Sequence, residues 1–217
     1  MTQALIFANG DVFDGPMVRR AIADTTNPLI VAADGGARIA WYYHFVVHAV
    51  VGDMDSLTPE ELAVLVGLGA EVVRHPPEKD FTDLELALKY ASEQDVDWMR
   101  VVGGIGDRLD QTFANVYLLA LPELHGRDVR LVAGKQEIRL LMPGEYRISG
   151  EKGDTISLIP MGGPVRGILT ENLYYPLNDE ALKFGPARGI SNVMTSTEAQ
   201  VSHQEGTLML VHTIGRA

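Results

Sequence analysis

The stretch VVHAVVGDMDSLTPEELAVLV, residues 46–66, decides how the chain is read. Residues 46–51 are apolar and Val-rich, as in a short strand buried on both faces of a parallel sheet. Gly52-Asp53-Met54-Asp55-Ser56 then turns the chain. Thr58 and Glu61 form a capping box, with Pro59 at the first helical position. Leu62, Leu65 and Val66 make the apolar stripe of the helix, and Gly67 and Gly69 stop it. A buried strand that passes through an acidic turn into a capped helix is the repeating unit of an open α/β sheet.

The same alternation extends to both sides. Residues 5–8, 29–33, 72–73, 99–102 and 129–132 are also predicted strands, apolar on both faces. Thr82 with Glu85 predicts a second capping box, followed by Leu84, Ala87, Leu88 and Ala91 at helical spacing. A third helix is predicted from about Asp110, with Phe113, Val116, Tyr117 and Ala120 as its buried face and Pro122 as its limit. Near Lys135 the pattern changes. Short β-like runs at 137–141, 155–159, 165–169, 199–201 and 208–212 are punctuated by Pro143-Gly144, Gly162-Gly163-Pro164 and Gly185-Pro186. The expected class is therefore α/β. Residues 1–134 are predicted to form an open, mostly parallel α/β sheet domain, and residues 135–217 a C-terminal antiparallel β-sandwich.

Composition narrows the chemistry. At 217 residues and 46% hydrophobic, the chain can bury a sizeable core. It contains no cysteine, which excludes disulfides, thiolate nucleophiles and zinc–thiolate sites. A net charge of −11 argues against general nucleic-acid binding and suits a pocket for metal cations or a cationic substrate. No apolar run is long enough to span a bilayer, and the first residues read as a strand rather than a signal sequence, so a cytoplasmic location is expected.

In open α/β sheets, ligands bind outside the carboxyl ends of the strands. Acids recur there: Asp34-Gly35-Gly36, Asp53-x-Asp55, Lys79-Asp80-x-Thr82-Asp83, and Gly103-Gly104-x-Gly106-x-Arg108-x-Asp110-Gln111. In extended chain, Asp53 and Asp55 would share one side about 7 Å apart, a spacing suited to magnesium, which takes one or two carboxylates and fills its shell with phosphate oxygens and water. The helix N-terminus at Thr82 can hold a phosphate, with Lys79 beside it. The glycine-rich loop can approach phosphates closely, and Arg108 offers a bidentate clamp. Each motif also has a plainer reading as a turn or helix cap. Neither a Walker A loop nor a dinucleotide fingerprint is present, and His44 with His48 straddles a predicted helix end.

Taken in order, these segments resemble the thiamine pyrophosphokinase (thiamin diphosphokinase) family. The resemblance continues through residues 170–177, Leu182-x-Phe184-Gly185 and Gly189-Ile190-Ser191-Asn192. It implies a transferase of the kinase type that moves diphosphate from Mg-ATP to the thiamine hydroxyl, giving thiamine diphosphate and AMP. It further implies an N-terminal domain for Mg-ATP, a C-terminal domain that helps bind thiamine, and a homodimer. By the same resemblance, Asp53, Asp55, Asp83 and Asp110 match the catalytic acids, with Asp53, Asp55 and Asp83 serving Mg2+. Asp34, Gly35, Gly36, Lys79, Asp80, Thr82, Gly104, Arg108 and Gln111 match nucleotide- and phosphate-binding positions, and Tyr175, Ser191 and Asn192 match thiamine-binding ones. Asn172 and Tyr174 depart from the usual Gly and Lys, Val193 from an acid, and Gln111 from a frequent His. The competing readings are a magnesium-dependent phosphohydrolase or nucleotidyltransferase, and a nucleotide or thiamine sensor without turnover.

Overall fold

The computed structural model describes residues 2–216. The chain divides into two compact units, Met1–Gly134 and Lys135–Ala217, and its class is mixed α/β. The first unit runs β1 (Gln3–Phe7), α1 (Pro16–Ala23), β2 (Leu29–Ala33), a 3-10 turn (Asp34–Gly36), α2 (Ala37–Tyr42), β3 (Ala49–Gly52), α3 (Pro59–Gly67), β4 (Glu71–Arg74), α4 (Asp83–Glu93), β5 (Trp98–Val102), α5 (Leu109–Leu118) and β6 (Asp128–Ala133). All of its strand pairs are parallel, in the order β4-β3-β2-β1-β5-β6.

That order positions the site. From β1 the chain lays β2, β3 and β4 outward on one side, then returns to place β5 and β6 on the other. The reversal leaves a crevice beyond the carboxyl ends of β1 and β5, where Phe7 pairs with Val102. Ligands of open α/β sheets bind at such a switch point. Apolar burial holds the strands in place: Leu5, Ile6, Phe7, Val31, Val50 and Met99 are fully buried.

The amino end of the sheet is tied electrostatically. Arg100, buried within β5, stacks 4.0 Å over the Trp98 ring and donates to Asp128 Oδ2 at 2.8 Å. Burial works against the Asp128 carboxylate, but Arg130 and Arg100 outweigh it and bring its pKa down to about 2. Because the folded pKa is depressed, this contribution is complete above the ordinary carboxyl range and is lost as pH falls toward 2. Asp128→Asn is expected to cost about 2 kcal/mol in urea unfolding at pH 7. The gap to the unaltered protein should narrow between pH 4 and pH 2; an equal gap at both ends would refute the linkage.

The second unit holds β7 (Gln136–Leu141), β8 (Gly144–Ser149), β9 (Thr155–Glu171), β10 (Asn178–Leu182), β11 (Asn192–Val193), β12 (Glu198–His203) and β13 (Glu205–Thr213). All of its pairs are antiparallel. The early residues of β9 pair with β11 and β13, and the later ones with β10 and β12. Leu141, Ile156, Leu158, Val165, Ile168 and Leu210 fill the core between these strands. The fully buried His212 sits 2.8 Å from Asp154 Oδ2, and Asp154 also accepts from the backbone N–H of Gly215 at 2.7 Å.

Several expectations are corrected. Runs 155–159 and 165–169 belong to one long strand, because the Gly162-Gly163-Pro164 segment bends within it instead of ending it. Helix α1 and strands β8, β10 and β11 were not anticipated, and the helix expected to end near His44 is α2, which stops at Tyr42; both helices lack a side-chain cap, and β11 spans only Asn192–Val193. Strand β4 lies at the end of the strand order, so its residues are half-buried or exposed rather than covered on both faces. The capping box at Thr58 is complete. At Thr82 only one half forms, because Glu85 turns to Lys89. On α5, Val116 faces inward, while Phe113 is 55% and Tyr117 59% exposed and Ala120 is also exposed. Phe113 and Tyr117 lie in a row with Leu109, one helical turn apart, on an outer face. Among the described residues, no helix is long and apolar enough to cross a membrane.

Candidate active site

Three successive strand ends each contribute one carboxylate. Asp34 follows β2, Asp53 follows β3, and Asp83 opens α4 after β4. One oxygen from each lies within 4.8 Å of the others. Asp34 is held at φ +46°, in the left-handed region that Asp tolerates better than most residues. Its Oδ2 accepts from the Ser56 backbone N–H at 3.1 Å, while its buried Oδ1 has no hydrogen-bond partner. Burial pushes the Asp34 carboxyl above the usual range, and the nearby charge of Asp83 adds to this.

Gly52 makes room for the cluster. At φ +149°, a Cβ there would sit 2.8 Å from Asp83 Oδ1 and 3.2 Å from Asp34 Cβ. Lys79, with a side chain 10% exposed, balances the charge. Its Nζ lies 2.8 Å from Asp53 Oδ2 and 3.1 Å from Asp83 Oδ1. The hydrogen bond from Lys79 holds Asp53 below the usual carboxyl range. Burial opposes the charge on Lys79, yet Asp53 and Asp83 more than offset it, and its pKa is raised.

The D-x-D segment departs from its expected geometry. Met54 adopts φ +68°, so residues 53–55 are not extended, and Asp53 Oδ1 accepts from the Asp55 N–H at 3.2 Å. Asp55 is exposed, accepts from Ser56 Oγ at 3.1 Å, and lies outside the three-carboxylate group; the buried Asp34 stands there instead. These three oxygen donors suit a hard divalent cation: Asp34 Oδ1 and Asp83 Oδ1 are buried without a hydrogen-bond partner, the latter having only its ion pair with Lys79. Neutralising the buried acid should trade stability against ion binding. Asp34→Asn is expected to melt higher than the unaltered protein without divalent ions and to lose most of its ion-dependent rise in Tm. A lower Tm in chelator would contradict this assignment.

A cavity of about 410 Å³ opens beside the carboxylates, wholly within the first unit. Asn9 and Gly10 line it just beyond β1, Lys79, Thr82 and Asp83 from the segment leading into α4, Gly104 and Arg108 from the β5–α5 loop, and Gln111 from the first turn of α5. These are the two sides of the switch point. Gly36 lets the turn after β2 pass directly over the Phe7 carbonyl. Gly35 is covered by Asn9, whose Oδ1 lies 2.5 Å from where a Cβ would stand. The loop is braced at Gly104 O, which accepts from Asn115 Nδ2 at 2.7 Å, and at Asp107 N, which donates to Asp11 Oδ2 at 3.0 Å.

Arg108 and Asp110 form a rim pair at 2.6 Å with both side chains about two-thirds exposed (66% and 67%), and Arg108 holds the Asp110 carboxyl low. Asp110 is thus apart from the three-carboxylate group, Gln111 lines the cavity, and Asp80 is exposed. Sequence reasoning passed over Asn9, Gly10, Asp11 and Asn115. Asn9-Gly10 was legible as a turn signal after the first strand, but it carries no charge to mark it.

In the second unit, Tyr174 and Tyr175 stand 66% exposed, edge to face at 4.8 Å. Asn172 takes φ +60°, a conformation easy for Gly and tolerated by Asn. Its Nδ2 donates to the Glu198 carbonyl at 2.9 Å. Ser191 is exposed, at φ +58°, and its N–H donates to Ser157 Oγ at 3.0 Å. Asn192 is nearly buried, and its carboxamide engages the backbone of Tyr175 and Val193.

Fold and site together define an α/β protein with an acidic ligand crevice at the switch point of a parallel sheet, joined to an antiparallel β unit. The family model described as "Thiamin pyrophosphokinase, catalytic domain" matches residues 23–131, and "Thiamin pyrophosphokinase, vitamin B1 binding domain" matches residues 145–208. The chain is 30% identical to thiamine pyrophosphokinase of Bacillus subtilis (strain 168), over 74% of this chain and 75% of that relative. It is 27% identical to thiamine pyrophosphokinase 1 of Oryza sativa subsp. japonica, over 70% of this chain and 61% of that longer relative. The crystal structure of thiamine pyrophosphokinase from Bacillus subtilis superposes with a TM-score of 0.86 at 26% identity, covering 98% of this chain and 99% of that one. A thiamin pyrophosphokinase family protein from Enterococcus faecalis gives a TM-score of 0.85 at 25% identity, covering 99% and 100%. The chain belongs to the thiamine pyrophosphokinase family and carries both its catalytic and its vitamin B1 binding domains.

Proposed function

We propose that the chain transfers diphosphate from Mg-ATP to the hydroxyl of thiamine, releasing AMP. The observation that carries this reading is the group of Asp34, Asp53 and Asp83, gathered within 4.8 Å, whose member Asp83 lines the switch-point cavity. The ion these residues would hold is Mg2+, which supplies charge stabilisation to the phosphate oxygens. Lys79 and Arg108 offer further positive charge to the triphosphate, and the α4 N-terminus at Thr82 and the loop around Gly104 present backbone N–H groups. Gly35 and Gly36, buried beneath Asn9 and against the Phe7 carbonyl, shape the turn that carries Asp34 and do not line the cavity, while Gln111 lines it and Asp80 is exposed.

Catalysis of this kind is mostly positioning and charge stabilisation. The thiamine hydroxyl oxygen forms a bond to the β-phosphorus and releases its proton to solvent, the bond between that phosphorus and the α-bridging oxygen breaks, and AMP departs. Asp83 faces the cavity and orients the attacking hydroxyl. Asp110, held by Arg108 on the rim, and Asp55 complete the acidic surround. Residues 1–134 handle Mg-ATP, and residues 135–217, a β-sandwich, present thiamine through the exposed Tyr175 and Ser191, with Asn192 holding the backbone beside them. The thiazolium cation suits an aromatic wall in an acidic protein. A cytoplasmic homodimer is the working form under this reading.

Incubation with Mg-ATP and thiamine, followed by product analysis, tests the proposal. It predicts AMP and thiamine diphosphate. ADP with thiamine monophosphate, or phosphate release independent of thiamine, would overturn it. Saturable binding without turnover would favour a sensor.

A further inference from the structure

The exposed aromatic pair of the second unit raises a question of aim. Tyr174 and Tyr175 project into solvent, each 66% exposed, so core packing does not fix their rings. Their direction is set by the backbone beneath them. That backbone is laced to residues 192–195: Tyr174 N donates to Val193 O at 2.9 Å, Leu173 bridges to Met194, and Thr195 N donates to Asn172 O at 2.9 Å.

At Tyr175 the backbone ladder stops and a side chain continues it. Asn192 Oδ1 accepts from the Tyr175 N–H at 3.0 Å, and Asn192 Nδ2 donates to the Tyr175 carbonyl at 2.7 Å. Oδ1 also accepts from the Val193 N–H at 2.9 Å. A carboxamide oxygen has two lone pairs, so both are used, as is one of the two amide hydrogens. The group is 9% exposed, and the backbone of the same residue pairs with Ile156 on β9. Asn192 therefore acts as a strand rung made from a side chain, gripping both polar groups of one peptide residue.

We infer that Asn192 is a positioning residue that aims Tyr175 at the acceptor substrate, and does not itself contact that substrate. This rests on the diphosphotransfer reading above. It separates the adjacent Ser191-Asn192 pair into an exposed residue available to a ligand and a buried clamp.

The inference is tested by a double-mutant cycle with an amide-exchange readout. Asn192→Ala should raise the KM for thiamine about tenfold while leaving kcat and the KM for ATP within about twofold, the loss expected for one or two hydrogen bonds. In a Tyr175→Ala background the same change should add less than about twofold, because its route is already removed. Without substrates, Asn192→Ala should speed hydrogen exchange at the Tyr175 N–H and leave the Tyr174 N–H protected. Asn192→Asp, which keeps the acceptor and folds if the alanine variant does not, should retain protection of the Tyr175 N–H while still raising the thiamine KM. Additive losses in the cycle, or unchanged exchange at Tyr175, would overturn the clamp. A Tyr175→Ala enzyme with unaltered thiamine KM would also overturn it, while leaving AMP and thiamine diphosphate as products. Failure to form those products at all would defeat the activity itself, and the exchange data would still report on the clamp.

Discussion

Asp83→Ala is expected to lose roughly 10²–10³-fold in kcat, the range seen when one fixed electrostatic partner is taken from a reacting site, while keeping a cooperative melt. Two observations support this separation. Asp83 contributes an oxygen to the three-carboxylate group and also lines the cavity, so its removal affects both ion and acceptor. Its role in folding is smaller. The α4 N-cap is made by Thr82, whose Oγ1 accepts from the Glu85 N–H at 3.2 Å, and the helix is anchored by Leu84, Leu86, Leu88 and Ala91. Losing Asp83 gives up one first-turn acid, worth about 0.3–1 kcal/mol, and one of the two ion pairs of Lys79. Steady-state kinetics with a thermal melt on the same sample checks both halves. Loss of the cooperative transition would make Asp83 a structural cap rather than a working acid.

Gly52→Ala should damage the site without removing any functional group from it. At φ +149° an alanine is strained, and its Cβ would stand 2.8 Å from Asp83 Oδ1 and 3.2 Å from Asp34 Cβ. The strain amounts to about 1–3 kcal/mol of stability. The displaced carboxylates should cost about a hundredfold in activity, since a misplacement of about 1 Å in a catalytic constellation carries that order of loss. Gly69→Ala is the control, because Gly69 also has a positive φ, +90°, but a Cβ there meets nothing within 4 Å. Comparable loss of activity in both variants would show that backbone freedom, not room for the acids, is what Gly52 supplies.

The legible and illegible parts of the sequence divide along the range of the interactions involved. Asp34, Asp53 and Asp83 could be picked out because each follows an apolar run, and a parallel sheet brings every such strand end to one edge. The Thr58 cap was readable because capping is settled within four residues. Strand order is different. Nothing local says that β5 returns to pair with β1, so the crevice between Asn9 and Gly104 was hidden, and with it Asn9, Gly10 and Asn115. The choice between Asp55 and Asp34 as the third carboxylate turned on the left-handed φ of Met54, a residue whose type gives no warning of it. The exposure of Phe113 and Tyr117 was missed because apolar spacing at 113, 116, 117 and 120 merges two faces of α5. Asn192 was marked as a ligand contact by its neighbourhood, and only its hydrogen bonds show where its carboxamide is used.

The central claim is that the carboxylate-walled crevice moves a diphosphate as one unit. ATP labelled at its β-phosphorus, incubated with the protein, Mg2+ and thiamine, tests this most directly. The account predicts that the label is recovered in the phosphate esterified to the thiamine hydroxyl, with unlabelled AMP as the other product. Label retained in ADP, with thiamine carrying only an unlabelled phosphate, would contradict it.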